Sequence, residues 1–245
     1  MIKALFFDLN GTLINIHTDE GDDNVYRVTA NFLSYYGVYI DPGKLKELYF
    51  ELNREQRHQS KEEFPEFDAA CIFQEVIRCF SKKSMTALER VSLAASAACV
   101  YRSASRFCLE LYPDVKFVLD TLKEKYQLAA VSDGQSLWAV PEMRAVGLEG
   151  YFRHVIVSGD YGFRKPDPRM YTLALDRLAL KAHEVIFVGN DMYRDVYGAD
   201  AAGMKTVFFK SNQGDHGYHG AEASYIIYNF RQLLDAVSFI ETHSV

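Results

Sequence analysis

The stretch Leu5-Phe6-Phe7-Asp8-Leu9-Asn10-Gly11-Thr12-Leu13-Ile14 decides the fold. Its apolar run, Ala4 to Phe7, is too short and too abruptly ended for a helix and reads as a buried strand of the parallel type. A strand of that kind delivers Asp8 to its carboxyl end, where open α/β sheets bind ligands. Gly11 lets the backbone turn sharply there and leaves N–H groups for an anion. An acid so placed is poised to be nucleophile and metal ligand at once.

Downstream, Asn15 to Asn24 is polar, with Asp19, Glu20, Asp22 and Asp23, and reads as a solvated loop or a hinge beside the Asp8 loop. Helical spacing then takes over. Val25, Val28 and Phe32 recur up to Gly37, and Asp41-Pro42 is an N-cap followed by proline at the first helical position. Leu45, Leu48, Tyr49 and Leu52 make the apolar face of a second helix, and Ile72, Phe73, Val76, Ile77 and Phe80 that of a third. Thr86 with Glu89 forms a capping box that opens a fourth, expected to run to about Glu110. Residues 15–111 thus read as an inserted, all-helical bundle in which no period repeats.

From Pro113 onward strands alternate with helices, which implies a parallel sheet with right-handed crossovers and an α/β class. The expected strands are Leu128 to Val131, His154 to Val157, Val185 to Val188 and Thr206 to Phe209. Helices are expected at Trp138 to Val146, Pro168 to Leu178 and Tyr193 to Ala202. A loop from Ser211 to Glu222, an edge strand at Tyr225 to Ile227 and a closing helix at Phe230 to Ile240 complete the chain.

Composition narrows the function classes. The 245 residues are 49% hydrophobic and 24% charged, enough for a substantial core. The net charge of −6 and the lack of a basic stripe argue against a nucleic-acid partner. No apolar run reaches membrane-spanning length, and the chain opens on a strand in place of a signal peptide, so the expected address is cytoplasmic. Cys71, Cys79, Cys99 and Cys108 fall in predicted helices without close pairing, which suggests buried, reduced thiols.

Three further stretches fall at the ends of sheet strands. Val131-Ser132-Asp133-Gly134 brings a hydroxyl, Arg164-Lys165-Pro166-Asp167 a lysine before a capped helix, and Gly189-Asn190-Asp191 an acid with Asp195 four residues on. Singly, Ser132 reads as a turn residue, Lys165 as a surface lysine and the two acids as helix-start residues. Together, in a parallel sheet, they converge with Asp8 on one crevice. Three carboxylates around one point repel unless a divalent cation sits among them, and hard oxygen donors favour Mg²⁺. A hydroxyl, an ammonium and loop N–H groups suit the outer oxygens of a phosphoryl group. The implied reaction is attack by Asp8 on phosphorus of a small phosphorylated substrate, giving an aspartyl-phosphate that water hydrolyses.

These motifs resemble the haloacid dehalogenase-like hydrolase superfamily, in the branch with a helical cap inserted after the first motif. Asp8 to Thr12 stand as the first motif, Ser132 as the second, Lys165 as the third and Asp191 with Asp195 as the fourth. The resemblance implies a Rossmann-like core at 1–14 and 112–245 with helices on both faces, and a helical cap at 15–111. It also implies Asp8 as nucleophile, Mg²⁺ as cofactor and phosphatase activity. Gly11, Thr12, Ser132, Asp133 and Lys165 would bind substrate. Asp8, the Asn10 carbonyl, Asp191 and Asp195 would hold the metal. The phase of the last motif leaves Asn190 as an alternative to Asp191, which is expected to be the direct ligand because it alone brings charge.

Asn10 departs from the family pattern, in which phosphatases usually have an aspartate that protonates the leaving oxygen. An amide exchanges no proton near neutral pH, and general acid–base help contributes about 10²–10⁴ in rate. Slow turnover restricted to good leaving groups follows directly. The other readings are that Asp133 substitutes as the acid, that Asp8 displaces halide from a 2-haloacid, or that the chain binds a phosphate ester without turning it over. Arg54, Arg57, His58 and Lys61 form a basic group that reads as a solvated helix end or an anion-holding part of the cap.

Overall fold

The computed structural model describes residues 1–218 and 220–243. In chain order, β1 (Ala4–Phe7) and β2 (Ile14–Thr18) lead into α1 (Asp23–Tyr35), α2 (Pro42–Gln59), α3 (Ala69–Phe80) and α4 (Ala87–Ser105). Then come β3 (Arg106–Leu111), α5 (Val115–Leu122), β4 (Gln127–Ser132), α6 (Ser136–Ala145), β5 (His154–Val157), α7 (Pro168–Leu178) and β6 (Val185–Gly189). A π-helical segment (Met192–Tyr197), α8 (Gly198–Ala201), β7 (Lys205–Phe209), β8 (Tyr225–Ile227) and α9 (Leu233–His243) close the chain.

Six strands form one parallel sheet in the order β5-β4-β1-β6-β7-β8. The first strand is therefore interior, as its unbroken apolar character requires. Its residues alternate between faces with the period of two that a strand imposes. Leu5 and Phe7 pack with Val118 and Leu119 of α5 and Leu233 and Val237 of α9, while Ala4 and Phe6 pack with Met170, Tyr171 and Ala174 of α7. Phe7 stands beside Ala130 on one side and Val188 on the other. That register sets the strand-end residues Asp8, Ser132 and Asn190 along one edge.

The inserted helices bury a core of their own. Val25, Tyr26, Tyr49, Phe73, Val76, Leu93 and Tyr101 meet there, joined by Trp138 from α6. Asp22, Asp41 and Asp68 cap α1, α2 and α3, and the capping box expected at Thr86 and Glu89 is present.

Three local readings need correction. The fourth inserted helix ends at Ser105, and Arg106–Leu111 pairs antiparallel with Ile14–Thr18 as a two-stranded ribbon at the roots of the insert. Six residues of alternating character following a long helix give too little pattern to be separated from it. Cys108 therefore lies in a strand, while Cys71, Cys79 and Cys99 are exposed on their helices. The helix expected at Tyr193 to Ala202 begins as the π-helical turn. The described residues of Ser211 to Glu222 form neither helix nor strand, as expected; His219 lies outside the described residues. Among the described residues no helix is long and apolar enough to cross a membrane.

Candidate active site

Asp8 follows β1 directly, and its backbone N–H donates to the Val188 carbonyl at 3.0 Å, so the sheet fixes its position. Its carboxylate is held at both oxygens. Lys165 Nζ lies 2.8 Å from Oδ1, and Thr12 Oγ lies 3.1 Å from Oδ2. The lysine also reaches Asp195 Oδ1 at 2.6 Å. Asp8, Lys165 and Asp195 are only 6%, 2% and 2% exposed, so this ammonium between two carboxylates is a buried triad. Burial alone would depress the lysine's pKa, but Asp195 and Asp8 outweigh it and hold the ammonium charged above its ordinary range. Burial likewise raises the Asp195 carboxyl, Lys165 only partly offsetting it.

Asp195 organises the end of β6. Its Oδ2 accepts from the N–H groups of Asn190 and Asp191, each at 3.0 Å. The π-helical turn is what swings Asp195 back over the strand end, a use of wide turns that recurs at functional sites.

The residue beside Asp8 at this strand end is Asn190. Thr12 Oγ lies 3.0 Å from Asn190 Oδ1 and shares its single proton between that oxygen and Asp8. Gly11, with φ of +89°, makes room: a Cβ there would fall 2.4 Å from Asn190 Nδ2. Asp191, expected as the direct metal ligand, has its carboxylate engaged elsewhere. Its Oδ2 accepts from Arg194 Nε and Nη2 at 2.9 and 2.7 Å and from the Asp215 N–H at 3.2 Å, while Oδ1 caps the π-helical turn. Those Arg194 bonds outweigh burial and keep the Asp191 carboxyl below its usual range. The strand runs on to Gly189, one residue beyond its expected end, and this sets which of two neighbouring side chains faces inward. Among the described residues no cluster of three or more His, Cys, Asp or Glu is arranged to hold a metal.

Ser132 is fully buried at the end of β4. Asp133 Oδ1 accepts from the Lys165 backbone N–H at 3.0 Å, tying the lysine's loop down. Its Oδ2 is buried without a hydrogen-bond partner, 3.6 Å from Arg194 Nη1, and burial raises this carboxyl's pKa. Asn10 is half-buried on the turn.

Some contributors carry no motif. The segment joining α2 to α3 reaches down as a strap onto the lysine loop. The Arg164 N–H donates to the Phe64 carbonyl and the Glu66 N–H to the Gly162 carbonyl, both at 2.9 Å. Glu66 Oε2 accepts from Ser158 Oγ at 2.7 Å, and Gln135 Nε2 donates to the Phe67 carbonyl at 2.6 Å. Arg54, His58 and Lys61 stay exposed at the end of α2, while Arg57 lies over the Phe67 ring at 5.2 Å. No motif read in the sequence marked this segment as ordered.

A family model for haloacid dehalogenase-like hydrolases matches residues 2–203. The chain belongs to that family. It is a hydrolase, and the expected sheet core is the family's. A glyceraldehyde 3-phosphate phosphatase of Methanopyrus kandleri is 29% identical over 210 residues, spanning 84% of this chain and 83% of its own. A 2-haloacid dehalogenase from Pseudomonas syringae pv. Tomato DC3000 superposes with a TM-score of 0.70 at 21% identity, covering 98% of this chain and 99% of its own. A phosphatase of the family from Thermococcus onnurineus gives 0.61 at 24% identity, over 96% and 98%. At such identities the two structures speak to the fold alone.

Proposed function

We propose that this hydrolase is a phosphatase of small phosphorylated metabolites, working through an aspartyl-phosphate at Asp8. The observation that carries the reading is the Asp8 carboxylate, fixed by Lys165 and Thr12 at the end of the central strand. One carboxylate oxygen attacks phosphorus while the ester oxygen departs. Lys165 and Ser132 balance the equatorial phosphoryl oxygens, and water later cleaves the acyl phosphate. Asn10 supplies no proton, so the leaving oxygen departs as an anion or takes its proton from water. Turnover should favour acyl and aryl phosphates over alkyl esters.

The Asp8 carboxylate and the Asn190 amide oxygen, both within about 3 Å of Thr12 Oγ, are hard donors of the kind Mg²⁺ takes. Asp8, Asn190 and the Asn10 carbonyl would hold it, with Asp195 acting through water. When bound, the cation neutralises charge on the transferring phosphoryl group. An amide in place of a second carboxylate should weaken its affinity.

The test is phosphate release from acetyl phosphate, p-nitrophenyl phosphate and glyceraldehyde 3-phosphate, with Mg²⁺ and with chelator. Release in Mg²⁺ alone is expected, and activity surviving chelation rejects the metal assignment. A second reading draws on the same amides. Lys165 already balances Asp8 against Asp195, so a metal-free displacement of halide from a 2-haloacid is chemically open. Chloride release from 2-chloropropionate without phosphate release would replace the first reading with the second.

A further inference from the structure

The loop after β7 joins two places that no motif connects. At one end Gln213 Nε2 donates to Asn15 Oδ1 at 2.9 Å and lies 3.3 Å from Tyr112 Oη. The Tyr112 hydroxyl in turn donates to Asn212 Oδ1. Asn15 sits in β2 and Tyr112 follows β3, so both belong to the ribbon at the roots of the inserted helices. At the other end the loop clasps the turn after β6. The Met192 N–H donates to the Asp215 carbonyl at 2.7 Å, and the Asp215 N–H donates to Asp191 Oδ2 at 3.2 Å. Gly214, with φ of +88°, lies so close over Asn190 that a Cβ would come within 2.2 Å of its carbonyl oxygen and 2.6 Å of Nδ2.

We propose that residues 212–215 couple the ribbon that carries the cap to the strand end that places Asn190 beside Asp8, with Gln213 as the positioning residue. The cap is attached through β2 and β3, so any swing of it displaces Asn15 and Tyr112. Gln213 passes that displacement on. The next two residues have no slack, because Gly214 is in contact with Asn190 and Asp215 is bonded through both its N–H and its carbonyl. Asn190 then takes its place against Thr12 and Asp8 only when the ribbon is seated. The role is one of geometry; neither Gln213 nor Gly214 touches a reacting atom.

The coupling rests on the reading of Asp8 as the reacting group only for its activity, so it is tested first without turnover. Hydrogen exchange is followed in the intact protein and in Gln213→Ala. The expected result is faster exchange, by about tenfold, at the β2 amides and at Met192 together, since one contact joins two locally opening units. Unchanged exchange, or a change on one side only, overturns the proposal. In a second arm, Gln213→Ala, Asn15→Ala and the double variant are assayed on acetyl phosphate. A kcat loss of about 10–100-fold with little change in KM is expected, because a 1 Å misplacement at a reacting centre can cost 10²-fold. The double variant should lose no more than either single one, as two ends of one contact behave; additive losses contradict the coupling. Gly214→Ala should lose kcat similarly and loosen the β2 amides as well, because a coupling acts in both directions; β2 amides left as protected as in the parent would contradict it. Failure of the phosphatase reading removes the activity arm and leaves the exchange result standing.

Discussion

At the scale of single residues, the buried triad of Asp8, Lys165 and Asp195 carries the site. Removing the ammonium leaves the two carboxylates it bridges with only Arg194, which acts on Asp195, to offset them. Lys165→Met should abolish turnover and destabilise the fold by about 3–5 kcal/mol, the usual result of breaking a buried ion pair, as read from urea unfolding. Asn10→Asp tests the missing acid: alkyl phosphate turnover should rise by up to about 10²–10⁴, with a smaller gain for aryl phosphates whose leaving groups need no proton. An equal gain for both classes would mean that proton supply is not limiting, and Asp133→Asn would then separate the remaining acid. Asp8, Ser132 and Lys165 were legible in the sequence because each stands at an abrupt end of an apolar run or a cap. The choice between Asn190 and Asp191 was not. Which of the two side chains meets Thr12 follows from where the strand ends, and that is fixed by pairing with β1 and β7, which no local pattern encodes.

At the scale of elements, the helices with strong caps and the apolar strands could be read locally, whereas the ribbon, the π-helical turn and the strap could not. β2 and β3 pair with each other across a long stretch of chain, ninety-seven positions in the pairing of Ile14 with Leu111. The strap from Phe64 to Phe67 is held by carbonyls and amides of the lysine loop and of Gln135. Glu66 gives it a pH signature. Burial holds the Glu66 carboxyl above its ordinary range, Ser158 only partly offsetting this and Asp133 adding to it. The folded state then grips this proton more tightly than the unfolded chain does, so its contribution to stability is present below the ordinary glutamate value of about 4.3 and is lost as pH rises through the raised folded value. The melting temperature of Glu66→Gln relative to the parent should therefore be higher at neutral than at acid pH. An identical pH dependence in the two proteins would remove Glu66 from the seam's electrostatics.

At the scale of the whole molecule, two hydrophobic bodies meet across a polar seam. Trp138 belongs to the sheet's α6 yet packs in the inserted core, and its indole N–H donates to the Ala98 carbonyl at 3.0 Å. Arg102 and Glu142 pair beside it at 2.7 Å, with Glu142 only 3% exposed. Asp8, the nucleophile of the proposed reaction, is only 6% exposed. The most direct test of the account is to quench the protein during turnover of acetyl phosphate in Mg²⁺ and locate the label by peptide mass spectrometry. One phosphoryl group on the peptide bearing Asp8, absent from Asp8→Asn, is the predicted result. Phosphate released with no label at Asp8, or a label on another side chain, would contradict it.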